Sequence, residues 1–482
     1  MSHLEAECYP RLTWQAPEWV ADAVFYEIFV DRFANGDTRN DPPGTVDWDA
    51  EPTPQNFFGG DLQGIIDRLP YLEELGINAL YLTPIFRART NHRYDTCDYL
   101  TVDPALGDDA LMRALVNQAH RRGIRLILDG VFNHCGESFW AFEDVKRQGE
   151  ASPYLPWFLI DSLPIDGSPP NYQTCGGTGY LPKLNLNNPE TRDYLLSVGS
   201  HWLDAYQIDG WRLDVPWKAP AEFWRSFRHK VKQANPEAYL VGEIWRDAKP
   251  WLQGDTFDGV MNYALRESLL DFCVRDTMDA EDFHYEVRRL LEVCGPRAAY
   301  QLNLLGSHDT PRLLTLCKDD LDRAIVAATA LFTLVGVPMI YYGDEVGLRG
   351  GNDPECRRPM PWDSARWEHR LHETFRNLVR IRREHPALRR GAFEGLWVRN
   401  ATYAFRRYLD GDEVIVVLNP RQMVPQARIP SGRGSSAPRI WRDLHSGGRF
   451  CENGGMLQIE ALPAKTAYLL VPDEVAVGGE NR

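Results

Sequence analysis

Gly210-Trp211-Arg212-Leu213-Asp214-Val215 reads as a short strand that ends in a carboxylate. Aspartate is a poor strand former, so an Asp closing a strand points to a role beyond packing. In a barrel of parallel strands, the working residues sit at the C-terminal strand ends. Arg212 lies two residues earlier and shares the face of Asp214. A cation beside a carboxylate favours its ionised form and lowers its pKa. An ionised, positioned Asp is suited to nucleophilic attack. The same pair would also serve as a buried tie between strands.

Outward from this stretch the chain alternates strand and helix. Val24–Val30 is a strand candidate. Leu62, Ile65, Ile66, Leu69, Leu72 and Leu75 then recur at helical spacing. Asp61 is placed to cap that helix and Gly76 to end it. Ile77–Leu82 reads as the next strand. The cycle repeats with Ile124–Asp129, the Asp214 strand, Tyr239–Glu243, Phe257–Met261, Tyr300–Leu305 and Val337–Tyr342. Eight strand candidates separated by helices predict an α/β fold, a (β/α)8 TIM barrel. A doubly wound open sheet is the alternative, but no Gly-rich phosphate fingerprint follows the first strand.

The expected organisation is an N-terminal extension over 1–23 and barrel over 24–133 and 191–390. Residues 134–190, rich in Pro, Gly, Asn and aromatics, form an inserted subdomain after strand three. Residues 391–475 alternate apolar and polar positions, with a hairpin signal at Asp410-Gly411, and read as a C-terminal antiparallel β-sandwich. A tail over 476–482 closes the chain.

Composition bounds the partners. The 482 residues carry a formal net charge of −15, which argues against nucleic acid or an anionic membrane, since both need a basic face. Aromatics make up 11%, which suits stacking on sugars as well as core filling. The nine cysteines are scattered, without C-x-x-C or zinc spacing, so free thiols in a reducing compartment are expected. The start of the sequence has no basic segment followed by an apolar one, and no window is apolar enough to span a membrane. Cytoplasm is the expected location.

Three acids stand at or just past three strand ends: Asp214, Glu243 and Asp309. Retaining cleavage of a glycosidic bond needs a nucleophilic carboxylate and a protonated acid about 5–5.5 Å apart. Asp214 beside Arg212 suits the nucleophile. Glu243, next to Ile244-Trp245, suits the acid/base, with a pKa raised by its apolar surroundings. Three strand-end acids would otherwise be caps or ion pairs.

Several motifs then fall in order. Asp129-Gly130-Val131-Phe132-Asn133-His134, Gly210–Asp214, Gly242-Glu243-Ile244-Trp245 and Ser307-His308-Asp309 resemble the four signature regions of the alpha-amylase family of glycoside hydrolases. Leu181-Pro182-Lys183-Leu184-Asn185 resembles the short motif of its inserted domain, in the form seen in neopullulanases, cyclomaltodextrinases and maltogenic amylases. Gly59–Leu62 and Gly336–Glu345 match two further family stretches. The resemblance spans roughly Val24 to Val471.

It implies roles position by position. Asp214 would be the nucleophile, Glu243 the acid/base and Asp309 the third carboxylate, gripping sugar hydroxyls as the ring distorts. Arg212 would orient Asp214, and His134 and His308 would hydrogen-bond the sugar. Tyr94 resembles the family's stacking platform, with His92 close by. Asp353 and Arg357 match the pair that holds the next sugar, and Trp245 would line the leaving-group side. Trp217 stands where the subgroup usually has small and polar residues; it is read either as an acceptor-side platform or as packing. The implied activity is retaining hydrolysis of α-1,4 links in maltooligosaccharides, cyclodextrins, pullulan or starch, with some transfer to sugar acceptors. A glucanotransferase or isomerase of the same fold is the first rival, and a non-catalytic carbohydrate-binding scaffold the second.

Asn35, Asp37, Asn40 and Asp41 crowd one loop, with Gly59 and Asp61 after it. Such oxygen donors suit calcium, and the spacing resembles the subgroup's calcium loop; a plain turn cluster would look similar. The ion would be structural. Members of the subgroup usually carry a β-rich N-terminal domain that builds a dimer, whereas about 23 residues precede the first strand here. Both a monomer and a homodimer are therefore open.

Overall fold

In the computed structural model, which describes residues 16–432 and 438–473, eight parallel strands close a barrel. They are β1 (Phe25–Ile28), β2 (Ala79–Leu82), β3 (Arg125–Gly130), β4 (Gly210–Leu213), β5 (Tyr239–Ile244), β6 (Gly259–Asn262), β7 (Leu302–Leu304) and β8 (Val337–Tyr341). Each strand pairs with its sequence neighbours, and β8 returns to β1. The expected tail 476–482 and residues 1–15 of the extension lie outside the described residues.

Alternation along the strands builds the interior. Phe25, Ala79, Tyr81, Ile127, Tyr239, Val241, Met261, Leu302, Leu304, Val337 and Met339 form one buried cluster inside the barrel. Two residues further along the same rows come Glu27 after Phe25, Asp129 after Ile127 and Glu243 after Val241. A strand repeats its face every second residue, so apolar side chains fill the base and charged ones line the mouth. The registers Phe25↔Ala79, Asp129↔Arg212, Arg212↔Val241 and Glu243↔Met261 set these rows side by side. Gly210 is needed at the base of β4, where a Cβ would strike the Tyr239 carbonyl oxygen.

The outer helices follow from their apolar stripes. In Leu62–Leu75 the six spaced apolar residues are all buried, Asp61 caps the start by accepting from Gly64 N at 2.6 Å, and Gly76 ends the helix at φ 87°. Such a cap is worth about 1 kcal/mol. Several strand boundaries differ from expectation, among them that β2 starts at Ala79 rather than Ile77. β1 stops at Ile28, and Val30–Phe33 forms one helical turn around a buried Asp31–Arg32 pair. β6 starts at Gly259, because Asp258 is used as an anchor for the neighbouring strand. β7 starts at Leu302, after a 3-10 turn over Gly295–Tyr300.

Residues 134–190 leave the barrel after β3. They carry a helix, Trp140–Gln148, and then irregular chain tied by single bridges such as His134↔Lys183 and Thr174↔Pro182. Leu184 N donates to Asn133 O at 3.0 Å, which lays the Leu181–Asn185 motif along the barrel mouth. The C-terminal part is an eight-stranded antiparallel sheet over Ala392–Pro472. It folds over a core in which Ala404, Ile415 and Val417 meet Ile429, Trp441 and Leu457, as expected of a sandwich. Among the described residues no helix is long and apolar enough to cross a membrane.

Candidate active site

The mouth gathers Asp214, Glu243 and Asp309 around Arg212 and His308. Arg212, fully buried, donates from Nη1 to Asp214 Oδ1 at 2.8 Å and to both oxygens of Asp129 at 3.0 Å. Its Nη2 lies 3.1 Å from Glu243 Oε2. One guanidinium thus faces three carboxylates. This corrects the expectation of a lowered pKa at Asp214. Burial raises it well above the usual carboxylate range, and the Glu243 and Asp129 charges add to that rise, against the pull of Arg212. A cation shared three ways does not offset the loss of water around each acid.

Glu243 is held from two sides. Trp245 Nε1 donates to Oε1 at 2.6 Å, and the Val215 amide donates to Oε2 at 2.9 Å. Val215 has φ 36° and ψ 49°, a left-handed conformation that a β-branched residue rarely adopts. That strained turn after β4 aims its N–H at the Glu243 carboxylate. The Trp245 ring stacks on Tyr263 with centroids 3.8 Å apart, leaving Trp245 38% exposed to the cleft.

Asp309 opens to the cleft, with 31% of its side chain exposed. Burial alone would raise its pKa, but the His308 and Arg357 charges hold it well below the usual range. His308 Nε2 is 3.1 Å from Asp309 Oδ2, and Arg357 Nη2 is 3.2 Å from Asp309 Oδ1. Arg357 also reaches Asp353 at 3.1 Å and the His308 carbonyl at 2.8 Å. The Asp353–Arg357 pair is therefore part of the site rather than a detached surface bridge. Burial would depress the His308 pKa, yet Asp309 and Glu27 push it up to about 10.

The remaining sequence-derived residues also converge here. Tyr94 stacks on His308, with centroids 5.5 Å apart, and its hydroxyl donates to Asp129 Oδ2 at 2.8 Å. His92 accepts the Tyr94 amide at Nδ1, 3.1 Å away, and burial takes its pKa down to about 3. Burial takes His134 down to about 4, against a small rise from the Tyr94 backbone, so its ring is neutral; Asn133 Nδ2 lies 3.2 Å from Nδ1. Trp217 sits on the short 3-10 turn Pro216–Lys218 after Asp214, 42% exposed. Sequence reasoning gave no role to Asp129, Tyr81 or Glu27. Asp129 is the hub that binds Arg212, Tyr94 and, at 2.6 Å, the Tyr81 hydroxyl. The available signal was a charge inside an otherwise apolar strand: Glu27 in Phe25–Ile28 and Asp129 after Leu126-Ile127-Leu128.

The Asn/Asp loop lies apart from these acids. Asp61 is engaged by amide donors: Gly36 N, Asp37 N, Gly64 N and Asn40 Nδ2. Asp37 faces Arg39 on the surface. Asn35 Nδ2 donates to Asp41 Oδ1 at 2.8 Å, and Gly59 packs so closely on both that a Cβ would strike them. The Asn35 and Asn40 side-chain oxygens are buried without a hydrogen-bond partner. Among the described residues no group of three or more Asp, Glu, His or Cys side chains is arranged to hold a metal. Two orphaned amide oxygens beside the Asp41 carboxylate still fit a hard cation.

Comparison with known proteins agrees with this geometry. A model of the alpha-amylase catalytic domain matches residues 27–369. A cyclomaltodextrinase from a Bacillus species is 47% identical over 434 residues, covering 88% of this chain and 77% of the relative. Neopullulanase 2 of Thermoactinomyces vulgaris is 45% identical over 456 residues, covering 93% and 77%. In three dimensions, cyclic alpha-maltosyl-(1→6)-maltose hydrolase from Arthrobacter globiformis, in complex with its cyclic sugar, superposes with a TM-score of 0.86 at 42% identity, over 95% of this chain and 100% of that one. The chain belongs to the alpha-amylase family of glycoside hydrolases, in the subgroup of neopullulanases, cyclomaltodextrinases and maltogenic amylases.

Proposed function

We propose that this glycosidase cleaves α-1,4-glucosidic bonds of maltooligosaccharides, cyclodextrins, pullulan or starch by double displacement. The observation that carries the reading is the convergence of Asp214 and Glu243 on the single guanidinium of Arg212. Asp214 is the nucleophile: Arg212 fixes its Oδ1, and attack on the anomeric carbon forms a glycosyl ester. Burial favours a proton at Asp214 when the site is empty. That proton belongs on Glu243 when the sugar binds, because Asp214 must be ionised to attack. Glu243 passes it to the leaving oxygen, then takes one from water, which releases the sugar with its configuration retained. Asp309, paired with His308 and Arg357, grips ring hydroxyls, and its hold strengthens as the ring flattens. Neutral His134 hydrogen-bonds a hydroxyl, and Trp245 and Trp217 flank the acceptor side.

The test is a product profile on β-cyclodextrin, pullulan, soluble starch and cyclic maltosyl-maltose side by side, with Asp214→Asn and Glu243→Gln as controls. Small reducing sugars from at least one substrate, absent in both variants, are expected. Unchanged activity in either variant would remove the role assignment. Transfer products dominating from the earliest times on maltotriose would favour the glucanotransferase reading.

Of the six residues of the loop, Asn35, Asn40 and Asp41, with Gly59, would hold a structural calcium ion that locks the loop after β1; Asp37 is taken up by Arg39 and Asp61 by amide donors. A chelator is expected to lower the melting temperature, and added calcium to restore it; identical melting curves with and without chelator would remove the ion. The cytoplasmic assignment draws support from the eight described cysteines, all free thiols.

A further inference from the structure

Glu27 is a fully buried carboxylate at the inward, mouth-side position of β1, and the reaction as outlined does not use it. It meets a residue 281 positions away: Glu27 Oε1 lies 2.5 Å from His308 Nδ1 and accepts from the His308 backbone amide at 3.2 Å.

With Glu27 ionised, a count of protons gives the state of the His308 ring. The Tyr94 hydroxyl hydrogen is spent on Asp129 Oδ2, 2.8 Å away. His308 Nε2 lies 2.7 Å from that hydroxyl oxygen and 3.1 Å from Asp309 Oδ2. Neither of those oxygens has a hydrogen left to give, so Nε2 is the donor. At the other edge of the ring Nδ1 faces Glu27. A ring with acceptors against both nitrogens carries hydrogen on both. A neutral ring would turn one lone pair against a carboxylate.

We infer that Glu27 is a positioning residue for the glycosidase reaction, holding His308 as a doubly protonated imidazolium whose Nε2–H is fixed against Asp309 and Tyr94. The inference rests on the reading of Asp309 as the carboxylate that grips the distorted sugar. Without the Glu27 charge, the Nδ1 proton is the one His308 releases first. Asp309 then loses half of the cationic clamp that keeps it oriented, with Arg357 as the remaining half.

The other groups around the ring have settled partners. Arg357 Nε and the Cys356 thiol both donate to the His308 carbonyl, at 2.8 and 3.3 Å. The Arg357 guanidinium lies over Phe29, which itself packs on His308. His92 is neutral through the working pH range. Glu27 and Asp309 are thus the two acceptors with a negative charge that face the ring nitrogens, and the high His308 pKa agrees with that pairing.

The experiment uses the whole protein labelled with 15N-histidine, with the His308 signals assigned by their loss in His308→Gln. In the wild type both ring nitrogens are expected to stay protonated to above pH 9. A His308 that titrates below pH 8 overturns the inference, whatever the enzyme does to glucans. In Glu27→Gln, which keeps the shape and an acceptor oxygen but not the charge, the His308 pKa is expected to fall by about 1–3 units. The alkaline limb of kcat should move down with it, while KM at pH 6 stays within about threefold. A purely structural role would lower the yield of folded enzyme and leave the limb in place; superposable pH profiles therefore reject the inference. Should Glu27→Gln not fold, Glu27→Asp, which retains the charge, is expected to keep the wild-type limb. A downward shift in that variant counts against the charge as the cause.

Discussion

The two ends of the barrel handle buried charge in opposite ways. At the foot, Asp258 is fully buried and faces two cations, Arg228 at 2.7 Å and Lys232 at 2.9 Å, while it accepts the Leu240 amide at 3.0 Å. Asp209 ties strand starts in a similar way: Arg125 pairs with it at 2.7 Å, His120 Nε2 lies 2.7 Å from its other oxygen, and it accepts the Leu126 amide at 2.8 Å. At the mouth, Asp129, Asp214 and Glu243 share Arg212 alone. The foot spends its charges on tying strand starts together. Around Arg212 the mouth keeps three acids short of cations, which costs stability, whereas Asp309 nearby has both His308 and Arg357. Active sites are where such perturbed acids gather.

The sharpest way to break this comparison is to neutralise one acid at each end. Asp214→Asn or Glu243→Gln should lower kcat on the order of 10⁴-fold or more. The melting temperature should hold or rise, since one crowded carboxylate is removed from around Arg212. A large drop in melting temperature in both variants would mean that the mouth acids are structural ties. Asp258→Asn should do the reverse. Leaving Arg228 and Lys232 without their buried partner is expected to cost about 3–5 kcal/mol, read by denaturant unfolding, with kcat of the folded enzyme unchanged.

The pH dependence sharpens it further. His134 and His92 have folded pKa values depressed to about 4 and 3. The unfolded chain takes up their protons first, near pH 6.5, so stability should fall as pH drops from there toward 4. Asp309, also depressed, contributes stability above its unfolded value near 3.9 and loses it as pH falls further. His308 is raised to about 10, so its contribution is complete below pH 6.5 and is lost as pH rises through 10. Melting temperature against pH should show both arms, and His308→Gln should flatten the alkaline one. An unaltered alkaline arm in that variant would place its origin elsewhere.

The smallest effect is expected at Trp217. Its ring is well exposed, so Trp217→Ala should change stability by less than about 0.5 kcal/mol. The ratio of transfer to hydrolysis products on maltotriose should shift, since an acceptor sugar loses a stacking face. An unchanged ratio would mark Trp217 as packing alone.

Much of this was legible in the residues. The spacing of Leu62 through Leu75 and the flanking Asp61 and Gly76 defined a helix that folded as read, because capping and periodicity are local. The alternation along Val241-Gly242-Glu243 likewise put an acid one step above an apolar residue on the same face. The boundaries of β6 and β7 were not legible, because Asp258 anchors an amide on another strand and Tyr300 belongs to a turn. Nor was the sign of the Asp214 shift. Arg212 two residues away argued for a lowered pKa, and only barrel closure revealed that the same guanidinium also serves Asp129 and Glu243.

The sequence by itself determined the alternation of strands and helices, the rows of inward-facing side chains and the acids at strand ends, all of which follow from periods of two and 3.6 residues. The tertiary structure decided which charges meet. Glu27 reaches His308, and Arg357 reaches Asp309, across hundreds or tens of residues. How many partners each buried charge has, and therefore which protons it keeps, depends on distances in space that no local pattern encodes.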